Sequence, residues 1–172
     1  MGRDVGLAID CHWTYGVQGA AELARALEPY DLLWLEDPVP PENLAAVAQV
    51  QRRTRLPLTT GENHVHRLDF ERLILEAGLR LLAPDANSLG IRESRKLADL
   101  ADMHYVNPAV HNIAGPLGTL ASAHLCAAIA NFLALEWHAA SLSSTSWCVV
   151  STGRLSATAV SACRIAPVWE RS

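Results

Sequence analysis

The chain has 172 residues, 50% of them apolar, 19% charged and 6% aromatic, with a net charge of -4. That composition excludes disorder and coiled coil, and the acidic balance argues against a nucleic-acid surface. The length suits one domain but falls short of a complete eight-stranded parallel α/β barrel, which takes about 200–250 residues.

Short apolar runs alternate with helical patterns over residues 1–140. The runs are Val5–Ile9, Leu32–Leu35, Leu56–Thr60, Leu79–Ala83, His104–Val106 and Phe132–Leu135. Runs this short and this apolar predict strands buried on both faces of a parallel sheet. Helices are predicted over Gln18–Leu27, Pro41–Arg53 (with Pro41 at its start), Leu68–Ala77 (ending at Gly78), Ile91–Ala101 and Pro116–Ala130. The alternation indicates βαβ units. No apolar run is long enough to span a bilayer, which takes about 20 residues, and Met1 is not followed by a signal-peptide pattern. Cys11, Cys126, Cys148 and Cys163 have no CxxC spacing and read as free thiols of a cytoplasmic protein.

A polar residue follows each predicted strand: Asp10, Glu36, Glu62, Asp85, His111 and Glu136, at intervals of 26, 26, 23, 26 and 25 residues. One βα unit occupies about 30 residues, so each interval is one unit and all six side chains emerge at the C-terminal rim, where ligands and catalytic groups lie in such sheets. Asp10, Glu36 and Glu62, converging from neighbouring strands, would repel one another. A hard divalent cation such as Mg²⁺, which takes oxygen ligands, removes that repulsion.

The segments Asp10-Cys11-His12, Trp34-Leu35-Glu36-Asp37-Pro38, Gly61-Glu62-Asn63, Pro84-Asp85-Ala86-Asn87, His111-Asn112 and Glu136-Trp137-His138, in this order, resemble the enolase superfamily. The resemblance covers about residues 4–139 and is nearest the mandelate racemase and muconate lactonizing enzyme branch. It implies an α/β fold, here a partial TIM-type (β/α) barrel of about six parallel strands without the capping domain. It also implies Mg²⁺-dependent abstraction of the proton α to a carboxylate through an enediolate. Position by position, Asp10, Glu36 and Glu62 match the metal ligands, and Asp85 and His111 match the His–Asp dyad. Glu136 matches the last-strand glutamate that hydrogen-bonds the substrate carboxylate, which requires a proton between the two groups.

His12, two residues beyond Asp10, is expected on the same face of the strand end. In galactonate- and mannonate-type dehydratases of this branch such a histidine is the general acid that protonates the departing 3-hydroxyl. The resemblance thus implies a hydro-lyase lineage acting on a small-molecule sugar acid, in a truncated chain whose own activity is in question. Two alternatives stay open: a racemase, epimerase or cycloisomerase of the same superfamily, and a non-catalytic gene fragment. Nucleic-acid and membrane partners are excluded; a homo-oligomer stays open.

The remaining histidines have plainer expectations. His104 and His124 read as packing or surface residues, His64 or His66 as a loop contact to substrate, and His138 as a lining residue. Cys11 should point away from the site, and Asp37-Pro38 should stiffen the turn after Glu36.

Residues 141–172 differ from the rest. They hold one acid, Glu170, three arginines and eight serines, whereas residues 1–140 hold 17 acidic and 11 basic side chains. Synonymous codons can be chosen for Gly153 to Arg171 so that the frame two bases on spells PSIRDGRIRVPDRPGLGA, similar to the family's usual C-terminal segment. We therefore divide the chain into a partial barrel domain, 1–140, and a divergent tail, 141–172, expected to be translated out of frame.

Overall fold

The computed structural model describes residues 5–137; the tail, Cys148, Cys163 and His138 lie outside them. Six short strands alternate with helices: β1 Ala8–Asp10, β2 Trp34–Glu36, β3 Leu58–Thr59, β4 Leu81–Leu82, β5 Asn107–Val110 and β6 Ala134–Leu135. The helices are α1 Val17–Leu27, α2 Leu44–Gln51, α3 Arg67–Leu75, α4 Ala86–Leu89, α5 Ile91–Met103 and α6 Pro116–Ala128.

All strand pairings are parallel and sequential, in two sheets, β1-β2-β3 and β4-β5-β6. The Ala83 N–H donates to the Thr60 carbonyl at 3.0 Å and links the ends of β3 and β4, so the sheets follow one another around a single arc. Parallel strands joined by helices on one side are the units of a (β/α) barrel. Within the described residues β1 and β6 each pair on one side only, as expected for a six-stranded arc. Val5 and Leu7, at the free edge beside β1, are about half exposed.

The core lies between the strands and the helices that cover them. Leu35 of β2, Leu58 of β3 and Leu82 of β4 meet Phe70 and Leu73 of α3, Val50 of α2 and Leu97 of α5, all with at most 1% exposure. Both faces are buried along β3, β4 and β6, as the continuous apolar runs predict, whereas in β1, which has a neighbour on one side only, Ala8 and Asp10 are exposed. Among the described residues no helix is long and apolar enough to cross a membrane.

Three local readings change. His104-Tyr105-Val106 is not the fifth strand. His104 caps the end of α5, Tyr105 is left-handed (φ 56) and 93% exposed, and the strand runs Asn107–Val110. Pro108 lies inside that strand, where it lacks an N–H to donate but its carbonyl accepts from Leu133 N–H at 3.0 Å. Pro41 precedes α2 rather than opening it. The N-cap is Asn43, whose side chain accepts from the Ala46 N–H at 3.2 Å. Helix α4 is one short turn with too few residues for a period; it exists because Asp85 caps it. Gly78, at φ 75 and past the end of α3, supplies the left-handed turn into β4.

Candidate active site

Strand ends and the turns after them bring the chemical groups to one rim. Asp10 and Glu36 are the last residues of β1 and β2 and are register partners. Glu62 follows β3 after the turn at Gly61, Asp85 follows β4, and His111 and Glu136 directly follow β5 and β6. A parallel bridge between Asp85 and His111 carries the ladder one step beyond β4 and β5.

Asp85 does two things with its two oxygens. Oδ1 accepts from the Asn87 and Ser88 N–H groups at 2.7 and 2.9 Å, closing the N-terminus of α4. Oδ2 lies 2.8 Å from His111 Nδ1. An ionised carboxylate only accepts, so Nδ1 carries the proton and Nε2 is the working nitrogen. Burial pushes Asp85 up, but the His111 hydrogen bond and the two backbone N–H donors together hold it below the usual carboxylate range.

His111 Nε2 faces Glu62 Oε2 at 3.2 Å and Glu136 Oε2 at 3.6 Å. Burial alone would lower this imidazole. The Asp85 hydrogen bond and the charges of Glu62, Glu136 and Asp85 overcome burial and raise it to about 9. Glu62 remains raised, since its burial outweighs the attraction of His111. Glu136 is held by the next residue along: the Asn112 N–H donates to Glu136 Oε2 at 2.9 Å. The Asn112 amide Nδ2 also donates to the Glu136 carbonyl at 3.2 Å and to Thr119 Oγ1 at 3.1 Å.

Across the rim stand further carboxylates. Glu36 accepts from the Trp34 indole N–H at 2.9 Å. Burial nevertheless pushes Glu36 up to about 7, helped by the charges of Asp37, Asp10 and Glu136. Asp37 is fully buried and raised by that burial to about 6, partly offset by the Thr60 hydroxyl and the Trp13 indole beside it. One oxygen each from Glu36, Asp37 and Glu62 lie within 4.8 Å of one another. This is a donor set of hard oxygens at cation-holding spacing. Among the described residues it differs from the expected triad: Asp37 is in the group and Asp10 is not. Asp10 stands beside it, exposed, with Oδ1 accepting the His12 N–H at 2.8 Å, and its charge raises Glu36, Asp37 and Glu62.

His12 reaches the rim by a different route from the one expected. The strand stops at Asp10, and His12 (φ 47) and Trp13 (φ 58) form a left-handed turn. Alternation along a strand therefore does not orient it. Its ring packs on Trp13 at a centroid distance of 4.1 Å, and its charge acts on Glu62. Cys11 points into the core, as expected, and burial raises its thiol to about 11. His104 and His124 are exposed. His64 packs edge-on against Phe70 with ring centroids 5.7 Å apart, and His66 is the exposed residue before α3.

The sequence reading missed Asp37 and Asn112 as parts of the site. For Asn112 a signal was present, an amide directly after the dyad histidine. For Asp37 the signal was an acidic residue left-handed before proline, which only the backbone reveals.

A parallel arc that gathers carboxylates and a His–Asp pair at its strand ends is the arrangement of a barrel-type α/β fold with its polar groups at one rim. The chain belongs to the enolase C-terminal domain-like family, whose profile matches residues 1–159. It is 48% identical over 140 residues to the D-xylonate dehydratase of Haloferax volcanii, covering 80% of this chain and 34% of that protein. It is 35% identical over 126 residues to a D-galactonate dehydratase of Ralstonia nicotianae, covering 73% and 33%. The crystal structure of a mandelate racemase/muconate lactonizing enzyme-like protein from Rubrobacter xylanophilus superposes with a TM-score of 0.79 at 43% identity, over 83% of this chain and 36% of that one. The chain thus spans about a third of the length of the curated relatives it matches.

Proposed function

We propose that this chain carries the acid–base and cation-holding part of an acid-sugar dehydratase site, with Mg²⁺ as the cation. The observation that carries the reading is His111, fixed at Nδ1 by Asp85 and presenting Nε2 to the carboxylate group at the rim. Dehydratase relatives at up to 48% identity support it. Asp10, Glu36 and Glu62 are the residues proposed to hold the cation. When bound, it supplies positive charge beside the substrate carboxylate, where negative charge develops as the α-proton leaves.

His111 Nε2 takes the proton from C2 of the sugar acid, and Asp85 stabilises the imidazolium that results. His12 donates a proton to the C3 hydroxyl, which departs as water as the C2–C3 double bond forms. Hydroxide is a poor leaving group, so an acid at this position is required. The enol at C2 then tautomerises to a 2-keto-3-deoxy acid. Glu136, held by Asn112, meets the substrate carboxylate through a shared proton. All these steps fit a small-molecule substrate in the cytoplasm.

The test is turnover of a panel of aldonates, xylonate, galactonate and mannonate among them, by the purified 172-residue chain. The reading expects Mg²⁺-dependent formation of a 2-keto-3-deoxy acid, abolished in His111→Ala. Absence of turnover with every aldonate supports a non-catalytic fragment instead.

A further inference from the structure

His12 is exposed and lies in a turn, yet departure of the C3 hydroxyl rests on it in the function proposed above. Its backbone N–H donates to Asp10 Oδ1 at 2.8 Å, which leaves the ring free to rotate. Among the described residues, the contact that places the imidazole is the Trp13 ring, with centroids 4.1 Å apart and planes tilted by 35°. An exposed side chain without such support loses rotamer entropy each time it is fixed against a substrate. An imidazole already resting on a fixed aromatic face has lost it beforehand.

Trp13 is itself fixed from the turn after β2. Its backbone N–H donates to the Asp37 carbonyl at 2.6 Å. Its indole N–H is buried and, with the Thr60 hydroxyl, faces the Asp37 carboxylate as a donor. On either side the Cys11 N–H donates to the Glu36 carbonyl at 2.9 Å and the Tyr15 N–H to the Pro38 carbonyl at 3.2 Å, so the two turns are zipped together. His12 (φ 47), Trp13 (φ 58) and Asp37 (φ 43) are all left-handed. Non-glycine residues stay in that region only where the surroundings over-determine them, and such strain gathers at functional sites. Neighbouring residues of a strand point to opposite faces; the left-handed turn is what brings two consecutive rings into contact.

We propose that Trp13, anchored by Asp37, is a positioning residue for the acid His12. The inference rests on the dehydratase reading and deepens it by assigning what holds the acid in place. The competing role is plain space-filling by Trp13 between the two turns.

The test compares Trp13→Leu with wild type, both as the full chain, in two readouts. The first uses aldonates and Mg²⁺ in D₂O, where His111 exchanges the C2 proton and His12 is needed only for loss of water. Trp13→Leu should lower the ratio of dehydration to C2 exchange by about 10–100-fold, the scale of loss from a misplaced group. Equal losses of both activities, following a lower Tm, mean space-filling and overturn the inference. The second readout needs neither substrate nor metal. In ¹H NMR the His12 ring protons of wild type should lie upfield of those of the exposed His104 and His124, and Trp13→Leu should remove the displacement. Wild-type His12 ring protons that coincide with those of His104 and His124 overturn the inference, whether or not the variant folds, and leave the dehydratase reading standing. A wild-type chain that neither exchanges nor dehydrates any aldonate overturns both.

Discussion

Asp85→Asn separates the two jobs of one side chain. The amide has a single acceptor oxygen but two claimants, the N–H groups opening α4 and the His111 Nδ1–H. Asn caps helices as well as Asp does, so the oxygen stays with the two N–H donors and the NH₂ group turns to His111. His111 then loses a charge-assisted hydrogen bond of about 1.5–3 kcal/mol, equivalent to roughly one to two pH units. Its titration midpoint should fall from about 9 to roughly 7–8, as read by long-range ¹H–¹⁵N NMR of the metal-free chain.

The same change alters stability with a defined sign. His111 is raised in the folded state, so its contribution is fully present below 6.5 and is lost as pH rises through about 9. That interval corresponds to roughly 3 kcal/mol for this buried group. Urea unfolding should therefore show wild type ahead of Asp85→Asn by about 1.5–3 kcal/mol at pH 6, with the gap closing toward pH 10. The amide also favours the opposite imidazole tautomer, with the proton on Nε2, so α-proton abstraction should drop by about 10²–10⁴. An unchanged His111 midpoint, or a stability gap equal at both pH values, refutes the reasoning.

Three further outcomes are expected. Saturating Mg²⁺ should lower the His111 midpoint below its metal-free value of about 9, because the charge of Glu62 is then engaged elsewhere; NMR titration with and without the ion checks this. Gly61→Ala should destabilise the chain by about 1–3 kcal/mol. A Cβ there would meet Phe70 Cε1 at 2.7 Å and the Ala83 carbonyl at 3.1 Å, at φ 148, and thermal melting reads the loss. Asn112→Ala should cost about 1–2 kcal/mol by removing two side-chain hydrogen bonds while sparing the backbone N–H to Glu136. Denaturant unfolding measures it, with the His111 midpoint expected to stay near that of wild type.

Six of the site residues were legible because each ends an apolar run at nearly constant spacing. A parallel sheet turns equal spacing in sequence into one rim in space, which is why Asp10, Glu36, Glu62, Asp85, His111 and Glu136 all stand at strand ends, with Asp10 beside the Glu36 and Glu62 carboxylates rather than grouped with them. What escaped depends on single backbone dihedrals. Asp37 joins Glu36 only through a left-handed residue where strand alternation points it away. His12 lies in a turn of two left-handed residues, so strand reasoning reached the right neighbourhood by the wrong geometry. The fifth strand runs three residues later than the apolar run His104–Val106 and includes Pro108, whose carbonyl accepts from Leu133 N–H. Helix α4 was invisible to periodicity and rests on Asp85 Oδ1.

The most direct measurement of the central claim isolates the proton-abstraction step. The full chain is incubated with aldonates and Mg²⁺ in D₂O, and exchange of the C2 proton is followed by ¹H NMR. The account predicts exchange or dehydration with at least one aldonate, dependent on Mg²⁺ and lost in both His111→Ala and Asp85→Asn. No exchange with any aldonate at saturating Mg²⁺, or exchange that survives His111→Ala, would contradict it.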